Sequence, residues 1–398
     1  MKKCLFLLIM TMNVFLSGCW DSTEMNDIAI VTGIAIDPGK DKRYKLTVGY
    51  VNPRQFSKQS PEPGAPVTSL SLEGDSLPEI SVKMNIGISR ILKFSHTRVV
   101  YINEKVAKEG VGFFLDEIER SPEFRNDFNI LITKGDEAEK FIQVNDNIDK
   151  VPSLKVQKQI KSLVDTWGGD SRIRLSDFIN AIVSKGRAPV ASTAVIKGSP
   201  EKGKSTDSNN NIKPEATVEL DGMAVFDMDK LIGYLTLEDT RNYLWTQNLK
   251  QTMVTTPCSD NGEKFFDLLI TKNKTTLKTN YRGDTPVLQV KIHAESNLNS
   301  MQCAKDLTKM KTYSEIEREA ENHIKNMVEA TIKKVQKEYG VDIFGFGEEL
   351  NRQHYQKAKE IGNQWDKEFA RADVEVHAQV AIRRTGTRTK SFLSEVAP

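Results

Sequence analysis

The chain has 398 residues, room for two or three domains with ample core. Its 38% hydrophobic and 28% charged content describes a globular body and argues against global disorder. The 56 basic side chains exceed the 54 acidic ones by two, and Lys2 and Lys3 account for that excess. The balanced remainder argues against nucleic acid as main partner, which needs a concentrated basic face.

The first element is a leader. Lys2 and Lys3 give a positive start, and Leu5 to Leu16 give an apolar run broken only by Thr11 and Asn13. That is secretory-signal length, short of the roughly 20 residues a membrane-spanning helix needs. It ends on Leu16-Ser17-Gly18-Cys19, which resembles the lipobox of bacterial lipoproteins. Small Ser17 and Gly18 leave the backbone open to a membrane peptidase. The resemblance implies an S-diacylglycerol on the Cys19 sulfur, loss of residues 1–18, and N-acylation of the new terminus at Cys19. Two acyl chains at about 0.8 kcal/mol per buried methylene anchor stably, where one is marginal. Only nine residues then separate Cys19 from the strand expected at Ile28, a tether of at most about 30 Å. Trp20, Asp21, Glu24 and Asn26 lie in it, and it lacks a long Gly/Ser linker.

Ile28 to Ile36 reads as a strand buried on both faces. Asp37-Pro38-Gly39 is a turn, and Tyr44, Leu46, Val48 and Tyr50 alternate as a second strand. Strands at 67–72, 97–102 and 126–133 then alternate with helices. One is opened by Ser76-Leu77-Pro78-Glu79 and runs to about Ile91. Another is capped by Asn103, and a short one starts at Asp136. From 151 to 240 the pattern is a basic amphipathic stretch at 154–164, a helix from Ser176, a strand at 189–197, a polar mobile loop at 198–215, and strands at 216–226 and 231–236.

In the last third, 265–271, 275–281 and 287–298 read as three strands. Leu288, Val290, Ile292 and Ala294 share one face of the third. Ser314 to Glu317 reads as a capping box for a long helix with Ile316, Ala320, Ile324, Val328 and Val335 on its inner face, ended by Gly340. A second helix carries Leu350, Ala358, Ile361, Trp365 and Phe369, and a closing strand alternates from Val374 to Ile382. The expected fold is α+β. Three mixed α/β domains, each a sheet flanked by helices, occupy 19–150, 151–240 and 241–398 after the cleaved 1–18. The last is an antiparallel sheet bearing a helix pair.

Chemistry is sparse. The five histidines (His96, His293, His323, His354 and His377) show no metal-ligand spacing. His293 and His377 would meet only if their strands were adjacent, and a solvated face is the expectation. There is no Gly-x-Ser-x-Gly elbow, phosphate loop or dinucleotide fingerprint, so no catalytic, cofactor or metal residues are assigned. The run 337–350, "KEYGVDIFGFGEEL", reads as a core-facing helix junction with Gly-Phe-Gly as a turn. Cys258 and Cys303 would both be exported, so a disulfide between them is open. An up-down-up meander would instead set them at opposite ends of the sheet, beyond bridging distance.

Several stretches, in order, resemble one family: "GCWDSTEMNDIAIVTGIAID", "FSHTRVVYINEKVAKEG", "LDGMAVFDMDKLIGYLT", "YGVDIFGFGEELNR" and "VEVHAQVAIRRTG". The chain resembles the Ger(x)C-type lipoproteins, the C subunits of nutrient germinant receptors in endospore-forming bacteria. The resemblance implies a non-enzymatic, lipid-anchored subunit on the outer face of the spore inner membrane. It implies integral A and B subunits as partners, nutrient binding by the complex, and three α/β-type domains. Of the residues, only Cys19 carries over as a defined site. The competing expectation is a solute-binding lipoprotein that delivers a small molecule to a membrane transporter; a surface hydrolase ranks last for want of a nucleophile and base.

Overall fold

The computed structural model describes residues 24–56, 64–146, 148–205, 211–259, 263–303 and 305–385. Leu16, Ser17, Gly18 and Cys19 lie outside the described residues, as does 206–210 of the expected loop.

The chain starts on β1 (Ile28–Pro38), whose apolar run makes it the natural centre of a sheet. β2 (Tyr44–Val51) and β3 (Val67–Gly74) pair antiparallel outward from it. On its other side β5 (Val99–Asn103), β6 (Asn129–Thr133) and β7 (Val190–Gly198) follow in parallel. β8 (Ala216–Asp227) and β9 (Lys230–Leu235) close that side antiparallel, and short β4 (Ile91–Lys93) adds to β1. The order β3-β2-β1-β5-β6-β7-β8-β9, with β4 off the path, is one nine-stranded sheet.

Helices cover both faces, which is why β5 and β6 are apolar at nearly every position. Ala138–Gln143 and Pro152–Thr166 bury Phe141, Val156 and Ile160 on one face. Glu104–Glu109, Gly112–Arg120 and Leu175–Val183 bury Val106, Phe114 and Phe178 on the other. Asn103 caps as expected, its side chain accepting the Lys105 N–H at 2.9 Å.

A second sheet of four strands runs β10 (Thr252–Pro257), β11 (Phe265–Arg282), β12 (Thr285–Met301) and β13 (Asp373–Arg384). The long helix Met310–Glu338 buries Ile316, Ala320, Ile324, Val328 and Val335 against it. Glu317 and Glu321 of that helix accept the edge N–H groups of Ile382 and Val380, at 2.8 and 2.9 Å, along β13. Carboxylates on an otherwise open edge discourage pairing with another chain.

The mixed α/β class is the one expected, but the details differ in four ways. Strands from both sides of residue 150 share one sheet through the β6–β7 pairing, so two sheets stand where three were expected. β13 runs parallel to β12, because the helices between them form a crossover where an antiparallel pair would need only a hairpin. The long helix starts at Met310, so Ser314 lies within it and is not its cap. The second expected helix is three pieces, Phe346–Gln353, Tyr355–Ile361 and Trp365–Arg371, broken at His354 and at Gly362 with φ +56°.

The strand count also corrects the reading of the cysteines. Residues 265–271 and 275–281 are one strand, β11, which passes through the polar Lys272-Asn273-Lys274 with a bulge instead of turning back. One hairpin then carries both cysteine segments to the same end. Cys258 and Cys303 are disulfide-bonded with Cα atoms 6.0 Å apart. Beside them Glu319 of the long helix accepts from Lys305 and Ser259, both at 2.6 Å.

The bridge closes a loop across a sequence separation of 45 residues, worth about 4 kcal/mol in the chain-entropy account. The double variant Cys258→Ser/Cys303→Ser is expected to lose about that much stability in urea unfolding. Two thiols titrating in denatured wild type without reductant would contradict the bridge.

Candidate functional site

The two sheets meet at a buried turn. Asp342 is fully buried, and its carboxylate collects four donors. The N–H groups of Phe344 and Gly345 donate to Oδ1 at 2.9 and 3.0 Å. The N–H of Gly347 and the indole N–H of Trp365 donate to Oδ2, both at 2.9 Å. One side chain thus fixes the turn that starts the broken helix run and holds Trp365, 23 residues further on, against it. Burial still pushes this carboxyl up to about 6, although all four donors favour its ionised form.

The same residue reaches the first sheet through its backbone, since the Ala188 N–H donates to the Asp342 carbonyl at 2.7 Å. Gly186 makes that approach feasible. A Cβ there would lie 2.6 Å from the Gly347 carbonyl carbon, and its φ of +129° is one that side chains resist. Two glycines from distant parts of the chain therefore let the loop before β7 lie on the Asp342 turn.

That loop presents Arg187. Its Nη2 donates to the Tyr243 hydroxyl at 3.0 Å and to Gln247 Oε1 at 3.3 Å. Both partners come from the end of the helix Leu237–Thr246 and the residue after it. Gln247 is itself held, donating to the Phe344 carbonyl at 3.0 Å. Tyr243 is buried, its ring 5.8 Å from that of Phe344. Around this frame is a cleft of about 340 Å³, whose polar lining includes Arg187, Glu348, Asp177, Asn180 and Ser171, with Ile173, Ala181 and Leu244 as apolar wall. A second lobe of about 420 Å³ shares Ser171, Asp177, Leu244 and Gln247 and extends to Asp170 and Lys250.

Asp170 is 1% exposed. Its Oδ1 accepts the Arg172 N–H at 2.6 Å and the Ser192 hydroxyl at 3.0 Å, and burial pushes the carboxyl up to about 6. Among the described residues its Oδ2, like the neighbouring Ser171 Oγ, has no hydrogen-bond partner. Unsatisfied acceptors and donors beside a cleft are costly unless something else meets them. The cleft offers a cation, carboxylates, amides and hydroxyls. A separate cavity of about 330 Å³, bounded by Leu46, Leu77, Ile91, Phe94 and Phe124, is mainly apolar and lacks this convergence of charge.

His293 and His377 do fall on adjacent strands, with Lys291 opposite His377 and His293 opposite Gln379, and both are exposed. His96 is exposed beside Ser95. No three His, Cys, Asp or Glu side chains are arranged to hold a metal among the described residues. The sequence reading passed over Arg187, Asp170, Gln247 and Glu348. A usable signal existed for Asp342: glycines three and five residues on leave backbone N–H groups free to turn back onto a carboxylate.

Fold and site define a two-sheet α/β protein with a polar cleft where the sheets meet. Residues 21–196 match the family described as spore germination protein N-terminal domain, and residues 221–386 match spore germination B3/GerAC like, C-terminal. The chain belongs to this GerAC-like family of spore germination proteins. It is 31% identical to spore germination protein KC of Bacillus subtilis (strain 168) over 396 residues, 97% of each chain. Spore germination protein B3 of the same organism is 25% identical, over 96% of this chain and 98% of that one. The crystal structure of the GerBC protein matches with a TM-score of 0.56 at 17% identity, covering 88% of this chain and 97% of that one, and shows a shared fold.

A native carboxyl raised above its ordinary value of 3.8 holds its proton longer in the fold than in the unfolded chain. The contribution of Asp342 is therefore greatest below about pH 4 and shrinks as pH rises to about 6. The stability margin of wild type over Asp342→Asn, from urea unfolding, is expected to narrow by roughly 2–3 kcal/mol between those limits. A margin that widens with pH would mean that the four donors outweigh desolvation.

Proposed function

We propose that the chain is the lipid-anchored, non-enzymatic C subunit of a spore nutrient germinant receptor. It acts on the extracytoplasmic face of the spore inner membrane with integral A and B subunits, and is needed to trigger germination in response to nutrients. The observation that carries the proposal is family membership along nearly the whole chain, in a protein whose leader ends on Leu16-Ser17-Gly18-Cys19. This reading assigns the anchor to Cys19; among the described residues no helix is long and apolar enough to cross a membrane. β1 begins at Ile28, so the tether spans at most about 30 Å and keeps the first sheet beside the bilayer and its integral proteins.

A second reading, a lipoprotein that delivers a solute to a transporter, draws support from the polar cleft. The two sheets differ in strand number and topology, however, and are not the paired similar lobes such proteins usually show.

Cys19→Ala is expected to leave the fold intact and move the protein from the membrane to the soluble fraction, read by fractionation of cells expressing it without its partners. Full retention in the membrane would contradict the anchor. In spores, a long flexible insertion after Trp20 is expected to reduce nutrient-triggered germination, and unchanged germination would show that the short tether does not matter.

A further inference from the structure

Large apolar side chains in water are ordinary when scattered singly, but a cluster of them at one end of a molecule marks a contact surface. The end of the first sheet where β1 begins carries such a cluster. Val82, at the end of the helix Leu77–Lys83, is 71% exposed, and Ile86 in the turn after it is 89% exposed. Exposed Ile91 opens β4 and pairs with Ile28, the first residue of β1. Tyr50 pairs with Val31 near the end of β2, so the residues that follow β2 lie at this end as well. Among them is exposed Phe56, with the Lys150 ammonium 5.8 Å from its ring, and exposed Ile148 is two residues from that lysine.

The charge around these side chains favours an anionic surface. From Ile80 to Asn103 the chain has no carboxylate, yet it holds Lys83, Arg90, Lys93 and Arg98. Glu79 takes up Lys83 and Asp127 lies 3.8 Å from Arg98, while among the described residues no carboxylate pairs with half-exposed Arg90 or Lys93. Near Ile148, Asp149 pairs with Lys158, and Asp146 accepts the N–H groups of Ile148 and Asp149. The opposing charges, exposed Glu24 and Asp27, lie in the tether ahead of β1. Apolar tips rimmed by cations suit the interface of a bilayer, where the tips enter the acyl boundary and the cations meet phosphates.

We propose that this end of the first sheet is itself a membrane-contacting surface, seated in the headgroup layer of an anionic bilayer. Val82, Ile86 and Ile91 dip toward the acyl chains on one side and Phe56 and Ile148 on the other, with Arg90, Lys93 and Lys150 toward lipid phosphates. The inference rests on the proposed anchor at Cys19 and adds an orientation to it. Nine residues separate Cys19 from Ile28, so the acylated residue stays within about 30 Å of Ile28 and of Ile91 beside it. A tether alone leaves the body free to tilt. A second contact at the same end stands β1 upright and points the turn at 39–43 away from the bilayer. Val82 and Ile91 also border the apolar cavity of about 330 Å³, so apolar surface continues inward from the patch. The contact is small, and like a single acyl chain it binds only marginally by itself, so it orients the protein and does not retain it without the anchor.

The test uses the full-length chain, purified with its lipid and placed in vesicles of phosphatidylglycerol and phosphatidylethanolamine that hold no other protein and carry nitroxide on their acyl chains. An environment-sensitive fluorophore is attached at Asn85→Cys or, about 30 Å away at the other end of β1, at Asp41→Cys. Both positions are exposed, and without reductant the bridged Cys258 and Cys303 take no label. The label at 85 is expected to emit at shorter wavelength in vesicles and to be quenched at least about threefold more than the label at 41. Adding Ile86→Asp, a change at a position with almost no buried surface, is expected to bring quenching at 85 down to the level at 41. A label at 85 that stays in water while the protein floats with the vesicles would overturn the inference, give the patch to a protein partner and leave the anchor standing. Equal quenching at 85 and 41, or quenching at 85 that Ile86→Asp leaves unchanged, would overturn it too. Protein that does not float with the vesicles would overturn the anchor and this inference together.

Discussion

The carboxylate of Asp342 is the interaction on which the join between the sheets depends. It fixes three backbone N–H groups within a turn of six residues and the indole of Trp365, 23 residues on, and its own carbonyl takes the Ala188 N–H from the loop before β7. A buried carboxylate without a cation survives only when its lone pairs are filled, and here all four contacts come from rigid groups. The turn then supports Gln247 through the Phe344 carbonyl, and Gln247 supports Arg187. Removing Asp342 would therefore disturb far more than one hydrogen-bond set.

Other contacts reinforce the join at a distance from the turn. Asn242 donates to Thr331 at 3.1 Å, Lys334 pairs with Asp239 at 2.7 Å, and the Tyr339 hydroxyl donates to the Tyr234 carbonyl at 2.7 Å. The carbonyl of fully buried Trp245 accepts from Thr275 at 2.6 Å. The helix Leu237–Thr246 thus belongs to both sheets, and one apolar cluster runs continuously from β1 to β13. A cleft built on such a frame is pre-formed.

Much of this architecture was legible in the sequence, for identifiable reasons. Strands such as β1, β5, β6 and β8 are read from apolar runs, because burial on both faces leaves no other pattern. Asn103 announced its helix because a cap is a local interaction. Pairing was not legible, because it depends on which strands meet in space. Nothing local in Lys272-Asn273-Lys274 says that β11 continues through it, and that single misreading also set the two cysteines apart. The cleft was hidden for a similar reason. Ser171, Arg187, Gln247 and Glu348 are widely spaced along the chain, and each reads alone as an ordinary surface residue. The lipobox-like Leu16-Ser17-Gly18-Cys19 is a different case: it is a contiguous motif read without tertiary structure, it lies outside the described residues, and its lipidation stands as a proposal.

The most direct test of the Asp342 account is hydrogen exchange by mass spectrometry on wild type and Asp342→Ala. If the turn holds the sheets together, the variant should lose protection both at 342–350 and at the loop 184–190 across the join, while the strand segments near the disulfide at 254–257 and 265–270 keep theirs. Loss confined to 342–350, with 184–190 as protected as in wild type, would show that the sheets are held together by something else.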